Sequence, residues 1–269
     1  MSASEAATET QHATLGIKGH VAVITLNRPE KRNSISLQML DDIEACLDQA
    51  VAAGCRVLVF RGAGGNFCAG ADLAYVSGLL AEAPWRFSEE FVPYVQRVMN
   101  RIEDLPMPVV AAIEGFCLAG GFELALCCDI VVAARTARIG DGHAIYGFLP
   151  GSGGAYRLTR KAGVNRAKYI AFSGDIFTPD QMFDMGLVSR VVDDSAFDTE
   201  LASLTEKLAA RSPIGLKRMK ELIHLSDQSD RASGLTAERV ASAAHTGTAD
   251  MAEGLAAFSE KRAPVFTGR

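Results

Sequence analysis

An apolar run that turns through glycines into a helix bearing a single carboxylate leaves a chain few ways to fold. Residues 109–129, VVAAIEGFCLAGGFELALCCD, have that form. Val109 to Ile113 is apolar and β-rich, which predicts a buried strand. Helix formers follow from Phe122 to Cys128, and Gly120 and Gly121 stand where that helix begins. The first N–H groups of a helix lack partners within it and sit at its positive end. Small residues there let a ligand oxygen come close to those donors, as anion binding requires. Glu123 is an isolated carboxylate in the same apolar turn. The stretch therefore fits a site that stabilises an enolate while moving a proton. It equally fits a tight strand–loop–helix connection in which Glu123 only faces the helix dipole.

A second stretch shifts the balance toward a site. NFCAGADL, residues 66–73, follows an apolar strand predicted over 56–61 and a turn containing Gly62, Gly64 and Gly65. Gly70 and Ala71 again precede a helix, with Asp72 placed to cap it. Two backbone donors from separate loops are what an oxyanion hole requires.

The remaining punctuation describes an α/β core followed by helices. Residues 1–13 lack apolar periodicity and predict a frayed tail. A strand is expected over 20–26, then a polar loop over 27–34. Leu37, Leu40, Ile43, Leu47 and Val51 have helical spacing and predict a helix over 36–53, capped by Ser36. A helical region over 73–105 is interrupted by Pro84 and Pro93. Strands are expected over 130–134 and 138–139. The loop 147–154 then opens a helix at Ala155, and a last strand runs over 186–192. Beyond Asp193 only helices are expected. The loop GSGGAY lacks the spacing of a dinucleotide fingerprint, and neither a GxSxG elbow nor a P-loop lysine occurs.

With 269 residues the chain can bury a sizeable core. A net charge of -5 argues against nucleic acid as a partner. No apolar run approaches a membrane span and the N-terminus lacks a signal-peptide pattern, so a cytoplasmic protein without a membrane partner is expected. Cys46, Cys55, Cys68, Cys117, Cys127 and Cys128 form no CxxC pair and predict free core thiols in a reducing compartment. The five histidines have no paired ligand spacing, so no metal is expected.

FCAGADL, LAGGFELALCCDIVVA, GFLPGSGGAYRLTR and FSEKRAPVFTG, in that order, resemble the enoyl-CoA hydratase/isomerase (crotonase) superfamily. The resemblance runs from about Leu15 to the C-terminus. It implies an α/β fold: the ClpP-like crotonase spiral of stacked ββα units over 14–195, with a C-terminal helical region over 196–269. That region would join chains into a homotrimer or homohexamer. The oxyanion donors would be the N–H groups of Ala71 and Gly120, and Glu123 would be the first of two acid/base glutamates.

At the second glutamate position this sequence has His143. A histidine can move protons near neutral pH. It could work with Glu123 in hydrating a 2-enoyl-CoA. It could instead activate water for C–C bond cleavage of a β-diketone or β-ketoacyl-CoA. The branch that does so pairs its histidine with an aspartate in the Pro-Gly-x-Gly loop, where Ser152 stands here. A third reading is a catalytically idle CoA-binding assembly subunit, which the retained Glu123 disfavours and the loss of the second glutamate favours. By resemblance, Arg28, Lys31 and Arg32 would contact coenzyme A, and the backbone of Cys68, Ala69 and Gly70 would meet its adenine side. Lys261 would reach a neighbouring subunit's phosphates. Trp85, Phe87 and Phe91 would line an acyl pocket. The expected function is acyl-CoA processing, foremost hydration of a 2-enoyl-CoA, with no permanent cofactor and coenzyme A entering as part of the substrate.

Overall fold

A computed structural model describes residues 11–269 of the chain. It opens with a hairpin, β1 (Ala13–Lys18) antiparallel to β2 (Val21–Leu26). Then come α1 (Leu37–Ala52), β3 (Val57–Gly62), α2 (Leu73–Glu82), α3 (Pro84–Arg86) and α4 (Val92–Glu103). The central stretch forms β4 (Val109–Ile113), β5 (Phe116–Leu118) and α5 (Gly120–Cys127). β6 (Ile130–Ala134), β7 (Arg138–Gly140), α6 (Gly154–Ala162), α7 (Val164–Ser173), α8 (Pro179–Asp184) and β8 (Arg190–Val192) complete the α/β part. Four helices close the chain: α9 (Phe197–Ala209), α10 (Pro213–Ser226), α11 (Arg231–His245) and α12 (Ala249–Glu260).

The main sheet has the order β1-β2-β3-β4-β6-β8 and is parallel after the first hairpin. Period-two alternation divides its side chains between two cores. Leu58, Phe60, Val109, Ala111 and Ile113 face one, with α1 and α5. Val57, Val59, Val110 and Ala112 face the other, against Phe197 and Leu201 of α9. Beside it lies a narrow second layer. Its rungs are Ile35 with Ala71, Cys68 with Cys117, β5 with β7, and Ile139 with Phe177. Each pass of the chain adds one strand to the main sheet and one rung to this layer, so the stacked ββα expectation holds. The same stacking sets the loop after β3 against the loop after β5.

Several boundaries move. Of the tail expected over 1–13, residues 1–10 lie outside the described residues. From His12 on it is ordered structure: Ala13 is fully buried as the start of β1, and the His12 ring bonds to Ser36 Oγ at 3.0 Å. β1 was missed because its polar and glycine residues carry little apolar signal. Pro93 does not interrupt its helix: the chain is helical without a break over 84–103, and Pro93 follows directly on a π-helical stretch where the regular i→i−4 bonding is already altered. A π-helical turn, Phe87–Phe91, joins α4 to the preceding segment. The strand expected over 186–192 shrinks to Arg190–Val192. The boundary at 195/196 does not end the core, since α9 buries the second sheet face with Phe197 2% exposed.

Candidate active site

The two loops singled out in the sequence meet. Cys68 N–H donates to Phe116 O and Leu118 N–H donates to Cys68 O, both at 3.0 Å. Ile35 N–H donates to Gly70 O at 2.8 Å and Asp72 N–H to Ile35 O at 2.9 Å, which holds Ala71 between them. Gly121 is required here by close approach, because a Cβ would lie 2.2 Å from Cys68 O. A Cβ built on Gly120 would lie 3.5 Å from Ala71 N. The Ala71 and Gly120 amides thus border one small space. Gly120 is the first residue of α5, so its N–H has no acceptor within the helix. Ala119 precedes it at φ 48°, ψ -117°, a conformation that alanine adopts only under constraint.

Glu123 is 4% exposed, one turn into α5. Its Oε1 accepts from Ser152 N–H and Gly154 N–H, each at 2.9 Å. Gly154 leaves no room for a side chain: a Cβ would sit 2.8 Å from that oxygen. Arg157 fixes the donor loop. Its guanidinium donates to Ser152 O at 2.7 Å, to Asn100 Oδ1 at 2.6 Å and to Glu103 Oε2 at 2.8 Å. The other carboxylate oxygen, Oε2, faces His143 Nε2 at 4.0 Å. Burial pushes the Glu123 carboxyl above the ordinary range. The Ser152 amide, the His143 charge and the Gly154 amide offset only part of that rise.

His143 opens a 3-10 turn, His143–Tyr146. Its Nδ1 hydrogen-bonds to Asp141 Oδ1, and its backbone N–H donates to the same oxygen at 3.1 Å. Burial opposes the charged ring, but the Asp141 bond and charge, with the Glu123 charge, outweigh it and raise the histidine's pKa. Asp141, 3% exposed, was not singled out from sequence. The spacing Asp-Gly-His was its signal, since an aspartate can bond a main-chain N–H two residues on.

The coenzyme A candidates divide. Lys31 and Arg32 are exposed, and Ala69 N–H donates to Arg32 O at 3.0 Å, joining their loop to 68–71. The Arg32 guanidinium lies over the Phe116 ring, 5.1 Å from its centre. Arg28 is already engaged: it pairs with Asp72 at 2.8 Å and donates to Ser34 O at 2.7 Å. Its guanidinium holds the loop against the α2 cap, which leaves less of it free for the contact with coenzyme A expected from the sequence. Asn33, which sequence reasoning passed over, is fully buried and donates to Ala63 O and Asn66 O. Lys261 is exposed at the C-cap of α12, and its side chain has no hydrogen bond or ion pair to the other candidates among the described residues.

Arg28→Ala is expected to destabilise the protein by about 2 kcal/mol, the scale of a lost charged hydrogen bond. Lys31→Ala should stay within about 0.5 kcal/mol, as exposed substitutions do, and should instead weaken binding of coenzyme A. Urea unfolding and CoA titration of both variants check this. The reverse pattern would exchange the two roles.

The aromatic candidates are only partly available. Phe91 is buried and packs on Phe87 and Tyr75, with ring centres 5.9 and 5.6 Å away. Trp85 is 55% exposed. A Cβ on Gly151 would meet Val92 Cγ1 at 3.0 Å, so the start of α4 adjoins the loop that holds Glu123. All six cysteines are free and buried, and burial pushes the Cys68 thiol up to about 12, so it remains protonated. Among the described residues, no group of three or more His, Cys, Asp and Glu side chains could hold a metal ion, and no helix is long and apolar enough to cross a membrane.

Comparison with known proteins agrees with this fold. Residues 16–269 match the family model for enoyl-CoA hydratase/isomerase. A mouse mitochondrial enoyl-CoA hydratase domain-containing protein 2 is 37% identical over 285 residues, covering 99% of this chain and 92% of its own. Crotonyl-CoA hydratase of Syntrophomonas wolfei is 32% identical, covering 93% of this chain and 95% of its own. A crystal structure of enoyl-CoA hydratase from Bacillus anthracis superposes with a TM-score of 0.91 at 37% identity, covering 96% of this chain and all of its own.

Proposed function

Because the chain belongs to the enoyl-CoA hydratase/isomerase family, we propose that it hydrates a 2-enoyl-CoA through an enolate held by the Ala71 and Gly120 amides. The observation that carries this reading is the facing pair Glu123 Oε2 and His143 Nε2, 4.0 Å apart. Two proton-transfer groups at that spacing can share one water, with one taking a proton from it as the other gives one to carbon. Glu123 has one oxygen locked by two amides, so a single oxygen is left to react. The two oxyanion donors would each contribute roughly 3 kcal/mol to the transition state. Coenzyme A enters as part of the substrate, with Lys31 and Arg32 on the exposed loop as its phosphate contacts and Lys261 reaching the same group on a neighbouring chain.

A second reading has an observation of its own. The Asp141–His143 pair supplies the acidic partner that Ser152 cannot, as water activation for C–C cleavage of a β-diketone or β-ketoacyl-CoA would need. Mass spectrometry after incubation with crotonyl-CoA, a longer 2-enoyl-CoA and a β-ketoacyl-CoA separates the two. Gain of one water is the expected result. Cleavage products without hydration would replace the first reading with the second, and neither reaction would leave a CoA-binding subunit.

The working assembly is a trimer or a dimer of trimers in the cytosol. Support comes from large apolar residues standing open on one chain, Phe172 at 76% and Phe258 at 85% among them. Sedimentation at three or six chain masses is expected, and a monomer at micromolar concentration would remove this part.

A further inference from the structure

We propose that Asp141 is a positioning residue that orients the His143 ring and keeps it doubly protonated, making the imidazolium the proton donor of the reaction. The chemical role rests on the hydration reading; the positioning does not. An ionised carboxylate can only accept, so the Asp141 contact fixes a proton on Nδ1. The main-chain bond from His143 to the same Asp141 oxygen fixes where that oxygen stands. With Nδ1 occupied, the ring has one free nitrogen, and it points toward Glu123. Asp141 on its own loop and Glu123 on α5 are the charged groups that face the ring among the described residues, and both favour the cation.

This arrangement differs in kind from two carboxyl groups. In a pair of carboxyl groups the charge of one keeps the other protonated, so the proton donor is an uncharged acid. Here the donor is a cation beside an anion, so the reactive state is also the electrostatically favoured one. An O–H bond of water breaks, its proton passes to Glu123 Oε2, and the oxygen bonds to C3 of the enoyl group. The π pair moves to the thioester oxygen between the Ala71 and Gly120 amides. The enolate then takes the Nε2 proton of His143 at C2. A neutral His143 and a protonated Glu123 remain. Transfer of that proton across the 4.0 Å gap, through one water, restores the starting state.

The test is a pH titration of histidine ring signals by NMR on the full chain, with His143 assigned by its loss in His143→Gln. In the unmutated protein His143 should titrate above the ordinary histidine midpoint of about 6.5. A midpoint at or below that value overturns the proposal without any variant. Asp141→Asn keeps the acceptor oxygen and removes the charge, and should lower the midpoint by about one pH unit or more. Asp141→Glu, with the charge restored, should move it back up. An unchanged midpoint in Asp141→Asn would reject the assignment.

The rate provides a second readout. The imidazolium is lost as pH rises through its midpoint, so that midpoint sets the alkaline limb of kcat/KM for hydration. The limb should move to lower pH in Asp141→Asn by the same interval, with KM unchanged. A merely structural aspartate would lower activity at every pH and leave the limb in place. A chain that shows the NMR shift yet hydrates no enoyl-CoA would support the Asp141 pairing and reject the reaction assigned under the proposed function.

Discussion

Glu123→Gln is expected to fold normally and to lower kcat for hydration of a 2-enoyl-CoA by about 10³-fold. The amide oxygen of glutamine can still accept the Ser152 and Gly154 N–H bonds that hold Oε1. The amide nitrogen facing His143 cannot take a proton from water. The loss therefore falls on the chemical step, and KM should change by less than about threefold. Steady-state kinetics and thermal unfolding, side by side, check both halves. Wild-type turnover in a folded variant would remove Glu123 from the mechanism and leave His143 as the only candidate base.

Gly120→Ala should cost about 10²-fold or more in kcat with little loss of stability. Its added methyl meets Ile35 Cδ1 at 3.4 Å and Ala71 N at 3.5 Å, contacts the fold tolerates. An oxyanion bound to Ala71 would lie at about 2.9 Å from that nitrogen, and a methyl 3.5 Å from the same nitrogen crowds the space the oxygen needs. The neighbouring Gly121→Ala is the contrast, because its methyl would strike Cys68 O and disturb folding itself. Full activity in folded Gly120→Ala would show that the oxyanion does not lie between these two amides.

Much of the fold and of the site was legible because their signals are local. Glycine ahead of a helix, the apolar run of β4 and the caps Ser36 and Asp72 each lie within a few residues, and both caps hold as read. The resemblance supplied what pattern could not, the meeting of residues 71 and 120. What stayed hidden depends on partners distant in the chain or on a neighbour's identity. Arg28 reads as a free cation until Asp72, 44 residues on, is seen to neutralise it. Arg157 reads as a helix-surface charge, yet it is 4% exposed and supports the loop that holds Glu123. Helix α9 looked like an association element because amphipathic helices covering a sheet and helices covering another subunit have the same pattern.

The turn at Ala119 has a consequence for binding. A non-glycine residue held at φ 48°, ψ -117° costs about 1–3 kcal/mol, a cost met by the structure around it. Two bonds clamp it: Ala119 N–H to Gly140 O at 3.0 Å, and Glu123 N–H to Ala119 O at 2.9 Å. An alanine wedged there has far fewer neighbouring conformations to visit than a glycine would. The turn is therefore stiff, and the amide that follows it cannot swing out to meet solvent while the pocket is empty. Its direction is set when the chain folds, so an arriving carbonyl finds a fixed dipole and little entropy remains to be lost on binding.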